Sequence, residues 1–283
     1  MADIEHCRVR PDLDVWLVPN FDETILKCPA DGLNARNVQA RLEQGYPVRH
    51  AGDAIGWATP QWIEGDNAAL KYRGNTLKRG KMWFQIGEPR DVGFTKYYYT
   101  GWQNAVLPAT SNVETCPELA PLIAKYNDWC AGGRFAKANH FIATHYSHGE
   151  QSIGDHYDKP KSIQRGSLIT ILKTGEHGRP FRLTWLDGTP IFEKVLLPGT
   201  AVIMTLEANL RTKHGVPAVD EAGSSGSIVF RTITDRVSWT QLEKNIVAAE
   251  KAKIKAHEVK ETKKRRREEE AADPVRELVC EVE

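Results

Sequence analysis

At 283 residues, with 41% hydrophobic and 27% charged side chains, the chain has an ordinary globular composition and can bury one sizeable core or two small ones. Its formal net charge of +1 excludes bulk charge as a reason to bind nucleic acid, so any basic surface has to be local. Five dispersed cysteines (Cys7, Cys28, Cys116, Cys130 and Cys280) lack CxxC or finger spacing, and no apolar run has the length of a signal core or a membrane span. Together these predict free thiols and an intracellular protein of cytoplasm or nucleus, working as a monomer and without a membrane.

The first half of the chain mixes elements. A short apolar run, Val15 to Pro19, precedes an amphipathic pattern that predicts a helix from Leu33 to Gln44, with Leu33, Val38 and Leu42 on one side and Gly45 as its stop. KMWFQIGEPRDVGFTKYYYTGW predicts two strands around a Gly-Pro turn. PELAPLIAKYNDWC predicts a helix opened by prolines and closed by Gly132 and Gly133.

From Ala138 the pattern becomes short strands: NHFIATHY, GSLITILK, PFRLTW, TPIFEKVLL, TAVIMTL and GSIVFRTIT, separated by glycine- and proline-bearing turns. Strands at such regular spacing predict a sandwich or barrel, and the preceding helices make the whole α+β. After Trp239 the chain turns charged, alanine-rich and free of aromatics. Two readings stay open for its KKRRREEE cluster, a solvated helical tail and a nuclear-localisation or nucleic-acid tether.

Chemistry concentrates in THYSHGEQSIGDHYDKP, residues 144–160, where His156 and Asp158 stand two apart in a loop after a predicted strand. His214 follows several strands later in TKHGVP, and Arg231 and Arg236 come after it in SIVFRTITDR. Two histidines and one carboxylate can occupy one face of an octahedral metal, the arrangement of non-haem Fe(II) oxygenases. A lone His-x-Asp is common by composition; its place in a strand-bounded loop and the later histidine raise it above that.

These residues carry a resemblance to the AlkB-like Fe(II)/2-oxoglutarate dioxygenases. Thr144-x-Tyr146-x-x-Gly149 and Ile153-Gly154-x-His156-x-Asp158 are similar to that family's metal-site segment. Tyr97-Tyr98-Tyr99-Thr100-Gly101 resembles its Tyr-x-Tyr-Ser-Gly stretch. Asn139 to Tyr146, Leu197 to Met204 and His214-Gly215-Val216-Pro217 resemble further strands of it. The likeness spans roughly residues 80–236. Two departures stand out: Thr144 replaces an asparagine, and the closing Arg-x-Asn-x-Thr-x-Arg is not reproduced. One register sets Ser225 and Arg231 on its two arginines; another sets Arg231 on the first and leaves Arg236 one residue short of the second.

The resemblance implies a double-stranded β-helix (jelly-roll) core over 101–239, an N-terminal extension and substrate lid over 1–100, and a charged helical tail over 240–283. It also implies Fe(II) on His156, Asp158 and His214, with 2-oxoglutarate and O2 as co-substrates. Contacts to 2-oxoglutarate would come from Tyr146, Thr144, Arg231 and Arg236, with Arg231 as the main anchor of the far carboxylate. The plainer reading of Arg231 is a barrel arginine paired with a surface carboxylate. The implied reaction is oxidative demethylation or hydroxylation of alkylated bases in DNA or RNA, as in DNA repair. Trp83, Tyr97, Tyr99 and Lys159 are then candidate contacts to a flipped base. Two alternatives remain: the same chemistry on a protein or small molecule, and an inactive binding module of the same fold.

Overall fold

The computed structural model describes residues 2–46, 48–49, 60–64, 71–72, 75–76, 79–97, 110–220 and 223–272. In the first half the strands are β1 (Arg8–Arg10), β2 (Leu13–Val18), β3 (Val48–Arg49), β4 (Trp62–Ile63), β5 (Lys71–Tyr72), β6 (Asn75–Thr76), β7 (Gly80–Gln85), β8 (Phe94–Thr95) and β9 (Thr110–Asn112). The helices there are α1 (Phe21–Thr24), α2 (Val38–Gly45), α3 (Pro89–Val92) and α4 (Ala120–Gly132). The second half holds β10 (His140–Tyr146), β11 (Ile153–His156), β12 (Leu168–Gly175), β13 (Arg179–Trp185), β14 (Pro190–Leu196), β15 (Ala201–Thr205), β16 (Thr212–Val216), β17 (Ser225–Arg231) and β18 (Arg236–Val237). Helix α5 (Leu206–Arg211) lies between β15 and β16, and α6 (Trp239–Ala272) closes the described chain. Residues 1–239 form one compact unit and residues 240–283 another. No described helix is long and apolar enough to cross a membrane.

Two sheets organise the first unit. The larger has ten strands, in the order β1-β2-β15-β12-β17-β10-β7-β4-β3 with β9 beside β7; the smaller is β11-β16-β13-β14. From β10 to β17 the chain moves between them: β10 large, β11 small, β12 large, β13 and β14 small, β15 large, β16 small, β17 large. Side-chain alternation along the strands divides the interior. Met82, Phe84, Phe141, Ala143, Ile228 and Phe230 of the large sheet pack with Leu122, Ile123 and Tyr126 of α4. The opposite face of that sheet gives Ile169, Ile171, Val202 and Met204, which pack with Phe181, Leu183 and Leu196 of the small sheet. The layers are helices, large sheet, small sheet.

All six strand runs read from residue 138 onward are strands, and α4 starts beside Pro121 and ends at the glycine pair. Two expectations change. The helix predicted from Leu33 begins at Val38, because the Asn34 side chain accepts from the backbone N–H of Arg36 and Asn37 and donates to the carbonyls of Ala30 and Gly32. Such local bonds offer the backbone a turn in place of a helical one. The two strands expected around Gly87 to Pro89 are present, but they pair with other strands: β7 with β10, and the two-residue β8 with β18. The segment read as an extension therefore supplies β2 and β7 to the large sheet itself.

Candidate metal centre and its cavity

Strands β11 and β16 are neighbours, and their register sets His156 directly opposite His214. The close approach needs Gly215: a Cβ there would stand 3.0 Å from the Ile153 carbonyl oxygen and 3.2 Å from the Asp155 nitrogen, tighter than the backbone of β11 tolerates. Asp158 follows β11 in a turn that Asn209 of α5 clamps from both sides. The Asn209 carboxamide accepts from the Asp158 N–H at 2.8 Å and donates to the Asp158 carbonyl at 2.9 Å. One nitrogen of each imidazole and one carboxylate oxygen consequently lie within 4.8 Å of one another.

The electrostatics match a divalent metal. Burial lowers the pKa of both histidines, His214 to about 3 with His156 adding to the effect, so both rings are neutral near pH 7. Burial opposes the charged form of Asp158, but the Arg231 charge and hydrogen bonds outweigh it and hold the carboxyl well below its usual range. Neutral imidazoles and an ionised carboxylate are the protonation states that metal binding demands. His156 Nδ1 lies 2.8 Å from the Gly154 carbonyl oxygen, which places the proton there and leaves Nε2 as the ligand atom.

Arg231 has a different partner from the one the sequence suggested. Its Nε donates to Asp158 Oδ2 and its Nη2 to Oδ1, both at 2.7 Å, with both side chains almost fully buried. Tyr97 adds a third hydrogen bond, its hydroxyl donating to Oδ1 at 2.9 Å, and its ring lies under the Arg231 guanidinium at 4.4 Å. The fork expected to hold a co-substrate carboxylate thus holds the carboxylate of the metal site. Along β17, Val229 and Arg231 point toward the small sheet, and Ile228 and Phe230 toward the helices.

The triad opens into a cavity of about 820 Å³ between the two sheets. Thr144 and Tyr146 line it from β10, Lys81 from β7, Ser227 and Val229 from β17, and Phe181 from β13. The Tyr146 hydroxyl is buried without a hydrogen-bond partner, while the Arg179 guanidinium lies 4.9 Å from the centre of its ring. Lys159 lines the cavity and holds its ammonium 4.9 Å from the centre of the Tyr157 ring. Trp83 is buried on the same sheet face but does not line the cavity. Arg236 lies elsewhere, its guanidinium 3.4 Å from the carbonyl oxygens of Val92 and Gly93. Tyr99, with Lys78, Tyr98, Thr100, Gly101 and Trp102, falls outside the described residues. His145 faces away from the cavity, toward Glu43 and Ser224.

Sequence reasoning missed two residues that fix Asp158. Asn209 sits in an unremarkable ANLR helix, with no motif to reveal it. Tyr97 was read only as a base contact, although it touches the carboxylate.

Two sheets exchanging strands around a two-histidine, one-carboxylate cluster define a β-sandwich protein with a candidate metal centre. No family model matches the chain, and no curated protein matches it. Among solved structures it is similar to a Pseudomonas putida prolyl-4-hydroxylase at 12% identity and a TM-score of 0.46, over 79% of this chain and 94% of that one. It is also similar to OsALKBH1 at 12% identity and a TM-score of 0.48, over 79% of this chain and all 100% of that one.

Proposed function

We propose that the chain is an Fe(II)- and 2-oxoglutarate-dependent dioxygenase with a double-stranded β-helix core, acting on alkylated nucleobases in DNA or RNA. The carrying observation is the cluster of His156, Asp158 and His214 at the wall of a cavity between two sheets. Three protein ligands would leave three positions for a chelating co-substrate and O2, and the metal with those co-substrates would supply the oxidising power. The chain's own residues do the positioning. Arg231, Tyr97 and Asn209 fix the Asp158 carboxylate and its backbone, and the Gly154 carbonyl fixes the His156 tautomer. Ile142, Ile171, Phe181 and Val229 line the cavity with apolar surface that excludes water. The nucleobase reading draws on the sequence resemblance and on Lys159 at the cavity, a cation suited to a phosphate.

The test is a turnover screen over methylated oligonucleotides, with succinate and demethylated product read by mass spectrometry. The parent should form both; His214→Ala should form neither and should lose Fe(II) affinity by at least roughly a hundredfold, since even partners of metal ligands contribute about 10- to 100-fold. Fe(II) binding by His214→Ala equal to the parent's would overturn the metal assignment. Succinate formation confined to peptides or small metabolites, with no salt-dependent binding to DNA or RNA, would overturn the substrate class.

A further inference from the structure

We propose that Phe181 of β13 is a positioning residue for the metal site: its ring face, in place of a hydrogen bond, sets the plane of the His214 imidazole. This rests on the metal reading given under Proposed function and concerns how the chain holds one of its own ligands. The three members of the cluster are anchored unequally. Arg231 and Tyr97 hold the Asp158 carboxylate, and the Gly154 carbonyl oxygen lies 2.8 Å from His156 Nδ1. His214 has no such anchor: its Nδ1 is buried without a hydrogen-bond partner among the described residues.

A metal-bound imidazole ordinarily gives its other nitrogen to a carbonyl or carboxylate, which fixes the ring's orientation. Without that bond the outer torsion of a histidine is broad, so contacts have to hold the plane. Strand register supplies the contact. Leu183 of β13 lies directly opposite His214 of β16, which makes Phe181, two residues along on the same face, its diagonal neighbour. The two rings lie 6.0 Å apart, centre to centre, with only 11° between their planes, an offset parallel stack. The His156 ring is nearer, at 4.5 Å, but it is tilted by 53° and offers His214 no face to lie on.

Phe181 is itself well fixed. It is 4% exposed and belongs to the apolar cluster of Leu183, Leu196 and Met204 between the sheets. Phe192 of β14 backs it at 6.1 Å and 29°. A row of three rings, Phe192, Phe181 and His214, thus runs from β14 at the end of the small sheet to the metal cluster. An aliphatic side chain of similar bulk would fill the space and exclude water, but it would present no flat face, and the imidazole could turn about its outer torsion. His214 is therefore the ligand whose geometry depends on packing, whereas His156 and Asp158 depend on polar bonds.

Titration of the full-length protein with Co(II), whose visible bands report ligand geometry, tests this without turnover. Phe181→Leu should bind Co(II) about two- to tenfold more weakly, the size of one aromatic pair, and its bands should shift. Phe181→Tyr keeps the ring and should keep the parental bands with most of the affinity. Leu196→Ala opens a gap in the same apolar cluster but on β14, two strands from His214. It should lower the denaturation midpoint and leave bands and affinity as in the parent. Parental affinity and bands in a folded Phe181→Leu would overturn the proposal, as would an equal change in Leu196→Ala, the mark of a general packing effect. Should Phe181→Leu not fold, Phe181→Met decides by the same two readings. Failure of the underlying metal reading looks different: the parent itself would bind Co(II) no better than His214→Ala.

Discussion

The two faces of β7, β10 and β17 are made by alternate residues of the same strands and both are largely buried, yet they do opposite things. Toward the helices the side chains are Met82, Phe84, Phe141, Ala143, Ile228 and Phe230. Toward the small sheet the same strands present Lys81, Gln85, His140, Thr144, Ser227 and Arg231. Aromatic rings close the first face: Phe230 lies 4.2 Å from Tyr126 and 5.7 Å from Phe141, centre to centre. Polar and charged side chains stand on the second, opposite the metal cluster, where each polar group needs a partner to offset its burial. The contrast teaches that strand periodicity separates an all-apolar face from one where polar groups stand among apolar Trp83, Ile142 and Val229.

The largest effect should come from breaking the helix-facing side. Phe230→Ala removes a fully buried ring shared by Tyr126 and Phe141 and should cost about 3–5 kcal/mol, read by chemical denaturation. Because the ring faces away from the cavity, the fraction that remains folded should bind Fe(II) with parental affinity. Loss of metal affinity in folded protein would show that the two faces are not independent.

Next in size is Arg231→Lys on the cavity face. Lysine keeps the charge and loses the planar fork that meets both oxygens of Asp158. Since the fork orients a metal ligand, Fe(II) affinity should fall about 10- to 100-fold while the denaturation midpoint changes little. A drop in 2-oxoglutarate affinity with intact Fe(II) binding would instead return Arg231 to the anchoring role read from the sequence.

How far the sequence reached follows the same division. Alternating apolar residues in NHFIATHY and SIVFRTI announce strands and the inward face of Arg231, because period 2 is a local property. His156, Asp158 and His214 were legible as a donor set, since their residue types carry the chemistry. What stayed hidden depends on which strand lies beside which. Nothing local in KMWFQ says that β7 pairs with β10 and so brings Lys81 beside Thr144. Nothing in ANLR tells that Asn209 reaches across 51 residues to Asp158. Likewise, nothing local in SIVFRTI tells that Arg231 reaches the buried Asp158. The late start of α2 had a local cause, the Asn34 side chain, but competing local bonds are hard to weigh without coordinates.

A pH-dependent effect sharpens the comparison within the polar face, at a buried lysine that the protein itself satisfies. Lys173 donates to two backbone carbonyls, yet burial, reinforced by the Arg179 charge, still lowers its pKa to about 7 from an ordinary 10.5. Between those values the unfolded chain carries the proton and the folded chain does not. The unfolded state then binds more protons, so this group makes stability rise with pH across that window. Below about pH 7 both states are protonated and the slope from Lys173 vanishes; above about 10.5 neither is, and it vanishes again. Lys173→Met removes the slope and nearly keeps the volume. Denaturation midpoints of parent and variant, measured at neutral pH and again near the upper end of the window, should therefore diverge in the parent's favour as pH rises. Other titrating groups, among them the buried Cys116 and Cys130 thiols, are common to both proteins and cancel in the difference. Parallel changes in the two proteins would mean that the carbonyls of Thr174 and Gly226 keep Lys173 charged throughout, making it a structural cation.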